Sequence, residues 1–157
     1  MTQEEEKQLL IKDLCGRLPY VTFVYVEWHE TEELEICEGC ENDEEEPNIH
    51  TLISCNYYGE CDLDDNLTKT IYDIRPYLRP MSSMTEEEKK ELKAATCPEG
   101  TGYFDDLYLI CPMSHFGEYI SYDLMSDILD WLNAHHFDYR NLIGKGLAID
   151  CTGLNIY

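Results

Sequence analysis

Four cysteines in the first half of the chain carry the clearest potential for chemistry. Cys37 and Cys40 form a C-x₂-C pair, and Cys55 and Cys61 follow with five intervening residues rather than two. Thiolates bind zinc in tetrahedral sites, and the imidazole of His50 is an alternative fourth ligand. The acidic neighbours of the first pair bind zinc without selecting it. Zinc is therefore one interpretation, and ordinary reduced thiols are the favoured one.

A second candidate site combines two arginines with two serines. Arg75 and Arg79 flank a proline-rich segment, and Ser82 and Ser83 precede a predicted helix. Guanidinium groups and the free amides of a helix amino terminus both bind phosphate or carboxylate. These residues therefore predict an anion site, unless the arginines pair with carboxylates of the same chain. A small-ligand or nucleotide-binding protein that uses Arg75 and Arg79 is the corresponding alternative function.

Catalytic signatures are absent from the sequence. It contains no P-loop, Rossmann glycine pattern, HExxH or GxSxG motif. His135 and His136 with Asp138 and Tyr139 resemble an acid–base group, but adjacent helical residues point about 100° apart. Histidines near the end of a helix favour the negative end of its dipole, so a structural role is expected. We predict that the protein is not an enzyme.

Charge is the most unusual property of the chain. Eleven Lys and Arg face 33 Asp and Glu, for a net charge of −22, and no Lys or Arg lies between Leu18 and Thr68. Such a surface repels nucleic acid and anionic membranes and attracts basic protein surfaces. The alternative is that the acidity only maintains solubility. The predicted partner-binding acidic face comprises Glu27, Glu30, Glu32, Glu33, Glu35, Glu44, Glu45 and Glu46.

The length of 157 residues fits one domain, 1–157, with an acidic loop inserted at about residues 38–48. The amino terminus does not resemble a signal peptide, and no apolar run approaches the roughly 20 residues that span a bilayer. We therefore expect a cytoplasmic protein with reduced cysteines and no membrane association.

Hydrophobic patterning predicts an α+β fold, in which three or four helices pack on a small antiparallel β meander. Three helices are predicted, the first after a capping box at Thr2 and ending near Gly16, the second from Thr85, and the third over Tyr122–His135. The predicted strands are Tyr20–Trp28, Thr31–Ile36, Ile49–Tyr58, Thr68–Ile74 and Tyr103–Cys111.

The connections between these elements are also predicted. Gly59–Asn66 is expected to be a turn, and the prolines of Arg75–Pro80 are expected to hold an extended segment that ends the meander. Asp138 is placed to cap a turn, and the apolar residues of the carboxyl-terminal tail predict that the tail packs back on the protein.

Three stretches also carry a family resemblance: LCGRLPY (14–20), RPYLRPMSSMTEEEKKE (75–91) and DWLNAHHFDYRNLIGKGLAID (130–150). They resemble an uncharacterised family of small proteins from gut anaerobic bacteria and their phages and mobile elements. The resemblance implies an accessory factor, such as an inhibitor of host defence, rather than a particular reaction. Residues 27–65 do not resemble the family pattern. Together with the charge, this predicts an interaction protein whose carboxylates mimic nucleic acid and bind a basic host protein.

Overall fold

The computed structural model describes residues 1–27, 48–96 and 122–157. Within these residues the chain forms three α-helices and six β-strands, which confirms the α+β class. The helices are α1 (Gln3–Arg17), α2 (Glu86–Thr96) and α3 (Tyr122–Ala134). The strands are β1 (Phe23–Val26), β2 (His50–Cys55), β3 (Glu60–Leu63), β4 (Thr68–Thr70), β5 (Ile74–Leu78) and β6 (Ile149–Asp150). The predicted strands Thr31–Ile36 and Tyr103–Cys111 lie outside the described residues.

The six strands form one mixed sheet in the order β4-β3-β2-β1-β5-β6. The first four pairings along this order are antiparallel, whereas β6 runs parallel to β5. A parallel pairing needs a long crossover, and here the connection contains α2 and α3. The first four pairings match the predicted antiparallel meander, and β6 adds a parallel strand at this edge of the sheet.

Strand β3 occupies four of the eight residues of the predicted turn Gly59–Asn66. Glu60 and Asp62 are exposed while Cys61 and Leu63 are buried, which is the alternation of a strand with one covered face. Only the end of the predicted turn is a short 3₁₀ turn. The predicted turn is therefore wrong over Glu60–Leu63, where the acidic residues Glu60 and Asp62 are the solvent-facing half of a strand.

Strand β5 corrects two further predictions. The predicted strand Thr68–Ile74 is divided between β4 and β5, and Arg75–Pro80 continues the sheet instead of ending it, because β5 pairs with β1. The amide of Glu27 donates to the carbonyl of Asp73, so Pro76 falls at a non-hydrogen-bonded position opposite β1. Its missing N–H therefore removes no bond from this ladder.

Helix α1 covers the main core of the molecule. The predicted capping box is confirmed, since the Thr2 amide donates to Glu5 and the Glu5 amide donates to the Thr2 hydroxyl. Leu14 is completely buried in a cluster that includes residues of β1, β2, β3 and β5. Gly16 lies inside the helix rather than ending it, and a Cβ there would approach the Asn133 Nδ2 of α3 to 3.2 Å. The glycine therefore permits close contact between α1 and α3.

A second apolar cluster joins α2 to α3. Leu92 of α2 is buried with Ile128 and Leu132 of α3 and with Phe137, which follows α3. The charged helix α2 is therefore anchored through one buried apolar side chain, Leu92. No helix among the described residues is long and apolar enough to cross a membrane.

Candidate functional site

A buried ion-pair network fixes the segment that follows α3. Asp13 and Arg17 of α1 are completely buried, and Arg17 Nε donates to Asp13 Oδ2 over 2.7 Å. Arg17 Nη2 also donates to the carbonyl of Phe137 over 2.9 Å, and Arg140 Nε lies 3.2 Å from Asp13 Oδ1. A buried charge is tolerated only when it is paired in this way. The network therefore holds residues 137–140 against α1.

The end of β5 also holds this segment, through backbone hydrogen bonds. The Arg79 amide donates to the carbonyl of His136 over 2.8 Å, and the Asp138 amide donates to the carbonyl of Arg79 over 2.7 Å. The Asp138 carboxylate accepts hydrogen bonds from the amides of Leu142 and Ile143, at 2.7 and 2.8 Å. The predicted capping role of Asp138 is thereby confirmed, and both of its carboxylate oxygens are bound by the backbone.

A cavity of about 530 Å³ lies between the end of β5, the end of α3 and the carboxyl-terminal tail. This volume falls in the range of small-molecule sites. The polar or titratable side chains that line the cavity are Arg79, Ser83, His135, His136, Cys151, Thr152 and Tyr157. The cavity is therefore the candidate functional site in the described part of the chain.

His136 is the most strained residue that lines this cavity. Its φ of 60° lies in the left-handed region, which non-glycine residues adopt at an energetic cost. Its Nδ1 atom is buried and makes no hydrogen bond with any described residue. Burial, followed by the positive charges of Arg17, His135 and Arg79, lowers the pKa of His136 to about 4. The ring is therefore neutral at pH 7.

Tyr157, in the carboxyl-terminal tail, lines one side of the cavity. Its ring stacks on His136 with 3.5 Å between centroids. Its hydroxyl donates to the carbonyl of Tyr77 over 2.9 Å and accepts from the amide of Phe23 over 3.2 Å. Burial raises the pKa of Tyr157, so the phenol stays protonated. These contacts confirm that the tail packs back on the protein.

His135, His136, Asp138 and Tyr139 do not form the hydrogen bonds with one another that an acid–base site needs. His135 Nδ1 lies 2.8 Å from the carbonyl of Trp131, and the two rings stack with 3.8 Å between centroids. Asp138 binds backbone amides rather than either imidazole. The tyrosine hydroxyl of Tyr139 donates to Asn133 Oδ1. The side chains named in the sequence therefore serve separate local contacts.

Arg79, from the predicted anion site, already binds an internal carboxylate. Its Nη1 and Nη2 atoms lie 2.6 and 3.0 Å from the two oxygens of Glu88, and its guanidinium lies 4.4 Å from the centre of the Phe137 ring. The hydrogen bond from Arg79 holds the pKa of Glu88 at about 2. Arg79 reaches the cavity as half of a neutral ion pair, which weakens its attraction for an external anion.

The other three residues of the predicted anion site are not gathered around Arg79 as ligands. Arg75 binds Glu27 and donates to the carbonyl of Gly146 over 2.7 Å. The Ser83 hydroxyl donates to the carbonyl of Pro80 over 2.8 Å, and Ser82 is exposed. The geometry matches the alternative in which both arginines pair with carboxylates of the same chain, and the anion site stays a prediction.

Of the predicted acidic face, only Glu27 lies among the described residues, and it pairs with Arg75. The other seven members, Glu30, Glu32, Glu33, Glu35, Glu44, Glu45 and Glu46, lie in residues 28–47, which we call the acidic segment. The acidic segment contains ten acidic residues and no Lys or Arg. All four arginines of the chain, Arg17, Arg75, Arg79 and Arg140, contact carboxylates outside this segment.

The cysteines of the predicted zinc set are described only in part. Cys37 and Cys40 lie outside the described residues. Cys55 and Cys61 stand opposite each other on β2 and β3, with 2.7 Å between their sulfur atoms. His50 lies at the other end of β2, where its Nδ1 atom is 3.3 Å from Asp64 Oδ1. Among the described residues, the two cysteines are thus brought together, and His50 belongs to a separate contact.

Neither the cavity nor the buried ion pairs of Asp13 could be predicted from the sequence. Asp13 is separated from Arg140 along the chain by most of the fold, so no local pattern connects them. The one available signal was the presence of a charged residue on the apolar side of α1.

Comparisons with protein-family models, with curated proteins and with solved structures find no match for the chain.

Proposed function

We propose that the protein is a non-enzymatic interaction protein whose acidic segment binds a basic surface on another protein. The observation that carries this proposal is the distribution of cations. All four arginines form ion pairs with carboxylates outside the acidic segment, while that segment contains ten acidic residues and no Lys or Arg. Ten carboxylates with no Lys or Arg among them favour a basic surface on another protein as the partner.

The expected attraction is long-ranged and sensitive to salt. Clustered charge of one sign raises association rates with an oppositely charged surface by about 10- to 1,000-fold. The screening length falls from about 30 Å at 0.01 M salt to about 8 Å at 0.15 M. Binding through the acidic segment should consequently weaken as salt is added, chiefly through slower association.

The chemistry of the partner follows from the carboxylates. A row of carboxylates resembles the phosphates of a nucleic acid in charge, so a nucleic-acid-binding groove is a suitable target. The resemblance to small proteins of phages and mobile elements favours a host protein, and inhibition of host defence is the corresponding role. Direct binding to nucleic acid is disfavoured by the net charge of −22.

The test compares two variants with the same change in charge. One replaces Glu44, Glu45 and Glu46 with glutamine, and the control replaces the exposed glutamates Glu4, Glu87 and Glu91 with glutamine. Proteins captured from a host lysate at low salt are identified and purified, and their association rates are measured by surface plasmon resonance.

We expect a basic partner whose association rate falls about tenfold with the first variant and less than twofold with the control. Equal effects of the two variants would show that net charge alone is responsible, and recovery of no basic partner at low salt would contradict the proposal.

A second candidate function is binding of a small ligand, including a nucleotide, in the cavity beside His136. It is favoured by the cavity volume of about 530 Å³ and by the strained, neutral imidazole with an unpartnered nitrogen. Thermal unfolding against a panel of nucleotides and small metabolites tests it, since a ligand present at 100 times its Kd adds about 2.7 kcal/mol to the unfolding free energy. A ligand whose effect survives the substitution His136→Asn would not bind at this site.

A further inference from the structure

The strongest unassigned chemistry in the described chain is the pair formed by Cys55 and Cys61, which we call the dithiol pair. The two residues stand directly opposite each other on β2 and β3. The Asn56 amide donates to the carbonyl of Glu60 over 2.9 Å, so the dithiol pair occupies the adjacent non-hydrogen-bonded position. Opposed Cα atoms are about 4.5 Å apart at such positions, within the span of a disulfide.

The two thiols of the dithiol pair are not equivalent. Cys61 is completely buried, whereas Cys55 is partly exposed. The Cys61 thiol donates a hydrogen bond to Cys55 Sγ. That bond lowers the pKa of Cys55, and the same bond together with burial raises the pKa of Cys61. Cys55 therefore has the character of an attacking thiolate, and Cys61 that of the second thiol that follows it.

We propose that Cys55 and Cys61 form a reversible redox site that exchanges with low-molecular-weight disulfides of the glutathione class. In the first step the Cys55 thiolate attacks one sulfur of glutathione disulfide, and one glutathione thiolate leaves and takes up a proton. In the second step Cys61 loses its proton and attacks Cys55 Sγ, which expels a second glutathione. The two protein thiols are oxidised to one disulfide, and glutathione disulfide is reduced to two molecules of glutathione.

Closure would join the two strands at the base of the loop Asn56–Gly59. This loop presents Tyr57 and Tyr58, which are 75% and 78% exposed. The disulfide would thus fix the base of a loop whose tip is aromatic and solvent-facing. The site does not depend on the acidic segment or on the cavity, so its test is independent of the proposed function.

The sequence allows the pairing to be mapped without ambiguity. No Lys or Arg separates Cys55 from Cys61, so trypsin leaves both in one peptide. A protease specific for glutamate cuts after Glu60 and Glu86 and places Cys61 on the peptide 61–86. Cys55 then lies on the peptide that ends at Glu60, and Cys15, Cys37 and Cys40 fall on other peptides.

The native protein is equilibrated in a series of glutathione buffers that range from reducing to oxidising, and its free thiols are then alkylated at low pH. The protein is unfolded and digested with this protease, and the peptides are analysed by mass spectrometry. We expect a crosslink between the peptide ending at Glu60 and the peptide 61–86, and we expect dithiothreitol to reverse it. Crosslinks distributed among all the cysteine peptides, or none under oxidising conditions, would overturn the proposal.

Two single substitutions test the separate roles of the thiols. Cys61→Ser should trap Cys55 as a mixed disulfide with glutathione, because no second thiol can expel it. Cys55→Ser should leave the buried Cys61 unmodified, with at least about a tenfold lower yield of the mixed disulfide. The variant Cys15→Ser, which changes an exposed thiol, should behave as the wild type.

Equal glutathione adduct formation in the two single variants would contradict the assigned roles. Tightly bound zinc that prevents oxidation of the wild type until a chelator is added would also overturn the proposal, since it would identify a metal site. Circular dichroism of each variant establishes that the fold is retained. If a serine variant does not fold, the wild-type crosslink map still decides the proposal.

Discussion

Neutral His136 should make the stability of this protein depend on pH in a range where few other groups titrate. The pKa of His136 is lowered from 6.5 to about 4. The unfolded chain therefore binds a proton below pH 6.5 that the folded protein does not bind until about pH 4. The neutral His136 therefore costs no stability above pH 6.5, and the free energy of unfolding decreases as the pH falls from 6.5 toward 4. One pKa unit corresponds to about 1.4 kcal/mol, so the loss between pH 7 and pH 5 is about 2 kcal/mol.

The variant His136→Asn isolates this effect. Asparagine tolerates the left-handed backbone found at position 136 and has no titrating group. Its loss of stacking on Tyr157 lowers stability equally at all pH values, whereas the proton linkage disappears only with the imidazole. The neighbouring charges of Arg17 and Arg79 are retained. The pH dependence of the difference between the two proteins, rather than the difference itself, is thus the diagnostic quantity.

Urea unfolding at pH 5, 6 and 7, followed by circular dichroism, measures this quantity. The stability advantage of the wild type over His136→Asn should shrink by about 2 kcal/mol from pH 7 to pH 5. Glu88, whose pKa of about 2 is lowered by Arg79, loses its contribution only as the pH falls below about 4.5. A difference that is the same at pH 5 and pH 7 would refute the account of a buried, neutral imidazole.

Two further predictions concern the stability of the framework. Asp13→Ala should lower the unfolding free energy by about 3–5 kcal/mol, because it leaves the buried guanidinium of Arg17 without its carboxylate. The matched control is Glu86→Gln, which removes an exposed pair with Lys89 and should change the unfolding free energy by less than about 1 kcal/mol in the same urea titration. Gly59→Ala should cost about 2 kcal/mol or more, since φ is +85° and the new Cβ would lie 2.9 Å from Ile71 Cγ2. Gly153→Ala should cost only the backbone strain of about 1 kcal/mol, since φ is +83° and no atom lies within 4 Å of its Cβ. Equal losses within either matched pair would contradict these assignments.

The features that the sequence predicted correctly are set by neighbouring residues. The Thr2 and Glu5 capping box and the Asp138 turn each join side chains to amides a few positions away, so residue type and spacing were sufficient. The features that were missed depend on distant segments. Strand β3 looks like a loop until its neighbours β2 and β4 are known, and Pro76 is acceptable in β5 only because of its register with β1.

The candidate sites follow the same division. The sequence identified Arg79 as an important cation, but its partner Glu88 and its contact with Phe137 depend on how α2 and α3 pack. Cys55 and Cys61 were placed in a zinc set, although only the β2–β3 register reveals that they face each other. The strain at His136 has no local signal, since it arises where the chain leaves α3 and joins the end of β5.

The proposed function requires the acidic segment to carry negative potential that the rest of the protein does not neutralise. Paramagnetic relaxation of backbone amides by a cationic and an anionic nitroxide of the same shape measures this potential residue by residue. For the amides of residues 28–47, we expect the cationic probe to increase the relaxation rate far more than the anionic probe does. The ratio of the two relaxation enhancements should be well above the ratio for residues 1–27 and 122–157, and the difference should disappear at high salt. A ratio that is uniform along the chain would contradict the claim and remove the basis for a basic partner.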